Sequence, residues 1–271
     1  MSSVRFFKMT GSGNDFIMLD GREHDPAAWT PERIQAACDR RTGIGADGLV
    51  ILAPAGPDAV RMHFYNSDGG RAAMCGNAAL CSTRISARLG LAGEAMRLVT
   101  DAGTMSTRCV SQEQSAEIGF AELGVPRQVS GIPLARGERW IGLSTVGVPH
   151  LVVLVEDIDA VDLLNRGPEL RYHPSLGAEG ANANFVARSP GGPWLIRTYE
   201  RGVEGETLAC GTGTVAAALA LGALDLAQMP VAFLSRGGFP LAVDGRLAGL
   251  VAHDVWLRGQ GRLVFEGCWE E

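Results

Sequence analysis

Two cysteines in this chain of 271 residues stand at the same kind of place. "AMCGNAALC" sets Cys75 before Gly76 and Asn77, and "ACGTGTVAAA" sets Cys210 before Gly211 and Thr212. In each stretch the residues after the cysteine take up a helical pattern, so the cysteine is expected at a helix start. Free N–H groups and the helix dipole favour a bound carboxylate there and raise the thiolate fraction of a cysteine. One such site would suggest a nucleophile, whereas two suggest a pair of proton carriers. A thiolate can take a proton from one face of a carbon while a thiol returns one to the other face, which inverts a stereocentre. A Cys–His hydrolase is the competing chemistry. His150 of "GVPHL" could serve it, but the second cysteine would then have no task.

Lys8 is the only lysine in the chain. A pyridoxal phosphate racemase needs a lysine for its Schiff base, and Lys8 lies near the N-terminus, away from both helix starts, so that cofactor is not expected. The cysteines, at 38, 75, 81, 109, 210 and 268, and the histidines, at 24, 63, 150, 173 and 253, form no metal-ligand spacing, so no metal is expected either. What remains is deprotonation beside a carboxylate without any cofactor. That chemistry needs oriented N–H groups, which Gly76, Asn77, Gly211 and Thr212 are placed to supply. "GIGADG", residues 43–48, spells a dinucleotide fingerprint, but it follows a helix and leads into a strand, the reverse of the required context.

The elements that must position these residues can be read around them. "WTPERIQAACDRRTG" predicts a helix capped by Thr30, with Pro31 in its first position, Gly43 beyond its end, and Ile34, Ala37 and Cys38 on its apolar face. "GLVILAPA" and "VRMHFYN" predict strands, Val60, Met62 and Phe64 of the second alternating with Arg61, His63 and Tyr65. "NSDGG" is turn chemistry leading to Cys75, and the helix behind it ends near Gly90. Short strands follow to about residue 125, and "ELGVPRQVSGIPL" reads as a linker. Then "WIGLSTVGVPHLVVLVEDI", "ANANFVARS" and "WLIRTYERG" read as strands before Cys210 and "TVAAALALGAL", a helix apolar nearly all round and so expected to be buried on every side. Strand ending in Tyr, polar turn, Cys-Gly and helix thus occur twice in that order. Tyr65 precedes Cys75 by ten residues and Tyr199 precedes Cys210 by eleven, which predicts a duplicated α/β unit whose equivalent residues can face each other across a cleft.

Bulk properties agree with a small-molecule enzyme. The chain is long enough for two domains with cores of their own. A formal charge of −6, with no basic cluster, disfavours nucleic acid as a partner. No apolar run approaches the ~20 residues of a membrane span, and no signal-peptide pattern opens the chain, so a cytoplasmic location is expected.

The ordered blocks "FFKMTGSGNDFIMLDG", "RTGIGADGLVIL", "FYNSDGGRAAMCGN", "VGVPHLVV", "GANANFV" and "YERGVEGETLACGTGT" resemble the diaminopimelate epimerase family over essentially the whole chain. The resemblance implies an α+β fold of two pseudo-symmetric α/β domains, each a mostly antiparallel mixed sheet wrapped around a central helix. The halves would be residues 1–124 with 258–271, carrying Cys75, and residues 125–257, carrying Cys210. It implies a pyridoxal-independent isomerase that interconverts LL-2,6-diaminopimelate and meso-diaminopimelate for lysine and peptidoglycan synthesis, with no cofactor or metal and with a homodimer as its assembly.

Carried over residue by residue, Cys75 and Cys210 are the acid/base thiols. Asn14, Asn66 and Asn182 are substrate amide contacts, and Gly76 with Asn77 and Gly211 with Thr212 bind the carboxylate. His150 and Glu200 are expected to be catalytic beside the thiols, and with Arg201 they position the amino and carboxylate ends of the substrate. Many relatives read "GNPH" where this chain has "GVPH", "CGNGARC" where it has "CGNAALC", and some have Gln at Gly48. Val148 replaces an amide expected to touch substrate. A racemase of another amino acid, such as histidine, is therefore the alternative, and a non-catalytic amino-acid-binding protein on the same fold is a third reading that leaves two thiols unexplained. Cys81, Cys109 and Cys268 match no catalytic position and are expected to be structural.

Overall fold

The computed structural model of the chain describes residues 3–110 and 114–270. Met1, Ser2, residues 111–113 and Glu271, all assigned above to the half that carries Cys75, lie outside the described residues. The chain forms two compact units, one running to Gly119 and resuming at Arg258, the other Phe120–Leu257.

The first unit holds β1 (Ser3–Gly11), β2 (Asn14–Asp20), α1 (Pro31–Cys38), β3 (Gly48–Pro54), β4 (Ala59–Asn66), β5 (Arg71–Ala72), α2 (Gly76–Leu89), β6 (Ala95–Thr100), β7 (Gly103–Val110) and β8 (Ser115–Phe120). β1 and β2 are antiparallel, β2 and β3 parallel, β3 and β4 antiparallel, β4 and β5 antiparallel, β4 and β6 parallel, and β6 and β7 antiparallel. The final strand, Arg262–Glu270, adds to β1 in antiparallel register, with Val4 opposite Trp269.

The second unit holds β9 (Leu123–Gly124), β10 (Arg127–Gln128), β11 (Glu138–Val146), β12 (Val148–Val155), α3 (Leu163–Arg171), β13 (Asn182–Arg188), β14 (Trp194–Glu200), β15 (Gly205–Thr207), α4 (Gly211–Ala223), β16 (Val231–Ser235) and β17 (Pro240–Ala248), and most of β18 (Val251–Gln260). From β11 to β17 the strands repeat each of those pairings in the same order and the same sense. β10 adds antiparallel to β11, as the final strand does to β1. The duplication read from the Tyr, turn, Cys-Gly and helix pattern therefore extends to strand pairing.

Each unit is a mostly antiparallel mixed sheet with a helix at its centre. α2 buries residues 77–83 together with Ile85 and Ser86, and α4 buries residues 213–221 without a break. Burial on every side, rather than along one stripe, means that each helix is enclosed by its own sheet. The opposite faces of the sheets carry the shorter helices. Along β13, Val186 packs in the core that contains α4 while Phe185 packs in the one that contains Leu163 and Leu170 of α3, the alternation a strand between two helices requires. In the first unit Ile34, Ala37 and Cys38 of α1 join Ile17, Leu49 and Ile51 in one core, so Cys38 is the core thiol its pattern predicts.

Local signals account for most boundaries. Thr30 caps α1 by accepting the Arg33 N–H at 3.4 Å, and Pro31 occupies the first position, where a missing N–H costs nothing. α2 ends on Gly90 in the left-handed region, at φ 66°. Three readings differ. "WIGLSTVGVPHLVVLVEDI" is two strands, since the chain turns back at Gly147 and pairs Val146 with Val148. "ELGVPRQVSGIPL" is not a free linker: it contains β9 and β10 and buries Val125 and Ile132. α3 is absent from the sequence reading because Gly167 and Pro168 interrupt its period. The fold needs that glycine, since a Cβ on it would lie 2.5 Å from the Tyr199 ring.

Candidate active site

In the first unit Cys75 is the N-cap of α2. Its backbone is extended, at φ −139° and ψ 124°, and its side chain makes no capping hydrogen bond. A Cβ on Gly76 would meet nothing within 4 Å, so the first turn is open in front to an incoming anion. Asn77 is buried, and its Nδ2 donates to Asn14 Oδ1 at 2.8 Å, while Asn14 Nδ2 donates to Asp47 Oδ2 at 3.0 Å. Two residues 63 positions apart are thereby joined at the mouth of the helix. Asn66 stands exposed at the end of β4, where its N–H donates to the Gly70 carbonyl at 2.8 Å and closes the "NSDGG" turn. The segment between that turn and Cys75 is anchored from the β6–β7 turn: Arg71 pairs with Asp101 at 2.5 and 3.0 Å, and the Ala102 N–H donates to the Ala73 carbonyl at 3.2 Å.

The second unit repeats the arrangement with other partners. Cys210 is the N-cap of α4, extended at φ −121° and ψ 110°, again without a side-chain cap bond. Its Sγ lies 3.7 Å from the Thr212 hydroxyl, and its carbonyl accepts the Thr214 N–H at 3.0 Å and the Thr214 hydroxyl at 2.8 Å. Beneath the helix start lies a buried polar layer. His150 and Asn182 are paired residues of β12 and β13, and His150 Nδ1 faces the Asn182 and Asn184 amide nitrogens at 3.5 and 3.3 Å. Amide N–H groups donate, so Nδ1 is the acceptor and the ring carries its proton on Nε2. Burial first, and the Arg201 charge second, lower the imidazole from 6.5 to about 3, with the Val146 backbone opposing them, so the ring is neutral at pH 7.

Asn182 Oδ1 accepts the Arg201 N–H at 2.6 Å, and Arg201 Nη1 pairs with Glu179 at 2.8 Å. Glu200, at the end of β14 opposite Gly205, has its carboxyl pushed above the ordinary 4.5 by burial, against the pull of the Thr207 hydroxyl. Thus Asn14 meets Asn77 beside Cys75, and His150 meets Asn182, which holds Arg201. Asn66 is tied into its own turn through its backbone, and the residue is exposed.

Several residues of these surroundings escape a reading of the sequence alone. Asn184 is fully buried, donates to the Leu151 carbonyl at 2.8 Å and accepts the Thr198 hydroxyl at 3.0 Å. The period of two in "NAN" is the signal that would have found it, since Asn182 and Asn184 must share one face of β13. Asp47 lies within "GIGADG", Arg40 three residues before it and Asp15 directly after Asn14, while Lys8 enters the sequence reading only as a Schiff-base candidate. Its Nζ is instead buried against Asp15 at 2.8 Å. Among the described residues no group of three His, Cys, Asp or Glu could hold a metal ion.

The model of the diaminopimelate epimerase family matches residues 6–124 and 143–241. The chain is 46% identical to a diaminopimelate epimerase of Gemmatimonas aurantiaca, covering 97% of this chain and 98% of that one. It is 35% identical to a diaminopimelate epimerase of Aquifex aeolicus, covering 99% and 98%. Its fold is shared at a TM-score of 0.73 by a phenazine biosynthesis protein of the PhzF family from Enterococcus faecalis, over all of both chains and with 13% identity. Helix starts that carry cysteine in both units, and full-length similarity to these relatives, lead to one conclusion: the chain belongs to the diaminopimelate epimerase family.

Proposed function

We propose that this chain interconverts LL-2,6-diaminopimelate and meso-diaminopimelate without a cofactor, with Cys75 and Cys210 as its two proton carriers. The family is one of isomerases. The observation that carries the residue assignment is that each unit caps its central helix with a cysteine, in the same extended conformation and with no side-chain cap bond. A cysteine used only as a cap would be a poor choice, since Ser, Thr, Asp and Asn cap far better.

In the proposed reaction a thiolate sulfur takes the Cα proton on one face and becomes a thiol. The thiol on the other face gives its proton to the carbanion and becomes a thiolate, so charge and protons balance and the enzyme ends in the mirror protonation state. The carboxylate next to Cα gains charge as the proton leaves. Backbone N–H groups of Gly76 and Asn77, and of Gly211 and Thr212, are the donors proposed to receive it. Asn14, Asn66, Asn182, Glu200 and Arg201 hold the ammonium and carboxylate groups of the substrate. His150 is fully buried and neutral, so in this reading it acts by holding Asn182 and Asn184 rather than by touching the substrate's ends as the resemblance implies. We extend the reading to a cytoplasmic homodimer serving lysine and peptidoglycan precursor synthesis. The family resemblance supports this, and among the described residues no helix is long and apolar enough to cross a membrane.

Incubation with LL-diaminopimelate in D₂O, with reduced protein and no added cofactor, should exchange the Cα proton for deuterium as the meso isomer appears, followed by NMR. Val148, half-buried at the start of β12, is the reason to run histidine and other amino acids beside it. Exchange in one of those with none in diaminopimelate would sink this reading, and no exchange in any would favour a binding protein.

A further inference from the structure

Four charged side chains of the first unit, Lys8, Asp15, Arg40 and Asp47, close on one another behind Asn14, and none has a task in the proton transfer. Lys8 pairs with Asp15 at 2.8 Å. Arg40 grips Asp15 through bonds of 2.9 and 2.6 Å and Asp47 through one of 2.7 Å. The two carboxylates also clasp each other's backbone: the Asp15 N–H donates to Asp47 Oδ2 at 3.2 Å and the Asp47 N–H to Asp15 Oδ1 at 3.0 Å. The cluster is charge-balanced. Burial alone would raise the Asp15 carboxyl, but the hydrogen bonds from Arg40 and Lys8 outweigh it and hold the group well below the carboxylate range.

One contact leads out of the cluster to the start of α2. Asp47 Oδ2 accepts from Asn14 Nδ2 at 3.0 Å, and Asn14 Oδ1 accepts from Asn77 Nδ2 at 2.8 Å. A primary amide has a donor end and an acceptor end and can turn over, whereas a carboxylate can only accept. Asn14 must therefore turn its NH₂ to Asp47 and its oxygen to Asn77, and Asn77 must donate. We propose that Asp47 is a positioning residue that sets the polarity of the Asn14–Asn77 relay, and thereby the way the start of α2 receives substrate. Arg40, Asp15 and Lys8 hold Asp47 in place. The inference rests on the reading of Asn14 and Asn77 as substrate contacts.

Asp47→Asn keeps the size but leaves one acceptor oxygen for three donors, Arg40, Asn14 and the Asp15 N–H. If Arg40 takes the oxygen, the new NH₂ faces Asn14, and both downstream amides must turn over. The expected result is a kcat/KM on diaminopimelate roughly 10- to 100-fold below wild type, shared between kcat and KM, with partial rescue in Asp47→Glu, which keeps both acceptors. A kcat/KM within about twofold of wild type would overturn the proposal. A second measurement needs no turnover: the side-chain amide NMR signals of Asn14 and Asn77 should move in Asp47→Asn and stay near wild type in Asp47→Glu. Unmoved signals in Asp47→Asn overturn the relay even if another amino acid proves to be the substrate, whereas a wild type inactive on diaminopimelate with moved signals overturns only the substrate reading. Should Asp47→Asn not fold, a neutron structure of the deuterated wild type decides: Asn77 donating to Asn14 supports the relay, and the reverse polarity ends it.

Discussion

Asn184 lies so close under the start of α4 that a Cβ on Gly213 would stand 2.0 Å from its amide oxygen and 3.3 Å from Cys210 Sγ. Asn184 cannot withdraw cheaply, because it is fully buried and bonded to Leu151 and Thr198. Gly213→Ala should therefore cost about 1–3 kcal/mol of stability through overpacking and lower activity through displacement of the thiol. Gly76→Ala is the counterpart: with nothing within 4 Å it should leave unfolding unchanged and show its effect in the kinetics, on kcat/KM. Denaturant unfolding and initial rates of both variants test the pair, and an unaltered midpoint in Gly213→Ala would count against the close packing.

Cys75→Ala and Cys210→Ala should each abolish epimerisation, since inversion needs a donor and an acceptor. The readout is conversion of LL- to meso-diaminopimelate by NMR with folded protein. Full activity in either variant would refute the two-thiol assignment.

His150 should remain neutral well below the ordinary histidine range. Because burial and then Arg201 lower the folded value to about 3 from 6.5, the unfolded chain binds a proton between those values that the folded chain refuses. Stability from this residue is whole above about pH 6.5 and falls as pH drops through that window, by up to about 1.4 kcal/mol per unit. Thermal melts from pH 7 to pH 4 should show a steeper loss in wild type than in His150→Asn, although the variant starts lower because Asn182 and Asn184 lose their partner. Equal slopes would show that His150 does not titrate as its burial demands.

Lys8, the only lysine, gives a simple probe of the ionic cluster. An amine-reactive reagent should label it in unfolded protein and not in native protein, because its Nζ is buried against Asp15. Lys8→Met should cost about 3 kcal/mol, the scale of breaking a buried pair. Peptide mass spectrometry and denaturant unfolding check the two outcomes. Ready native labelling at Lys8 would contradict the burial.

Local chemistry wrote much of this fold into the chain. Thr30 and Pro31 mark the start of α1, Gly90 ends α2, the alternation in "VRMHFYN" marks β4, and the alanine-rich run after Cys210 predicts a helix without a wet face. The signals failed where a tertiary contact overrides a local rule. In α3 Gly167 and Pro168 hide the helical period, and the glycine is there to clear the Tyr199 ring, a residue more than thirty positions away. "ELGVPRQVSGIPL" has a linker's composition, yet Val125 and Ile132 are buried. Tyr65, on the alternation's polar side, is buried too.

The candidate site divides in the same way. The doubled Cys-Gly helix starts are contiguous in the chain, so residue type and period suffice to single them out, whereas Asn14, Asn66, Asn182, Glu200 and Arg201 stand out only through the resemblance of the polar blocks to the family. The amide of Asn77 turned to Asn14, Asp47 behind it, the neutral ring of His150 and the close seat of Asn184 under Gly213 each depend on partners from separate segments of the chain. Hydrogen-bond polarity and the loss of water around a group are set by everything packed against it. No local pattern carries that information, and only the folded sheets bring those partners to their helices.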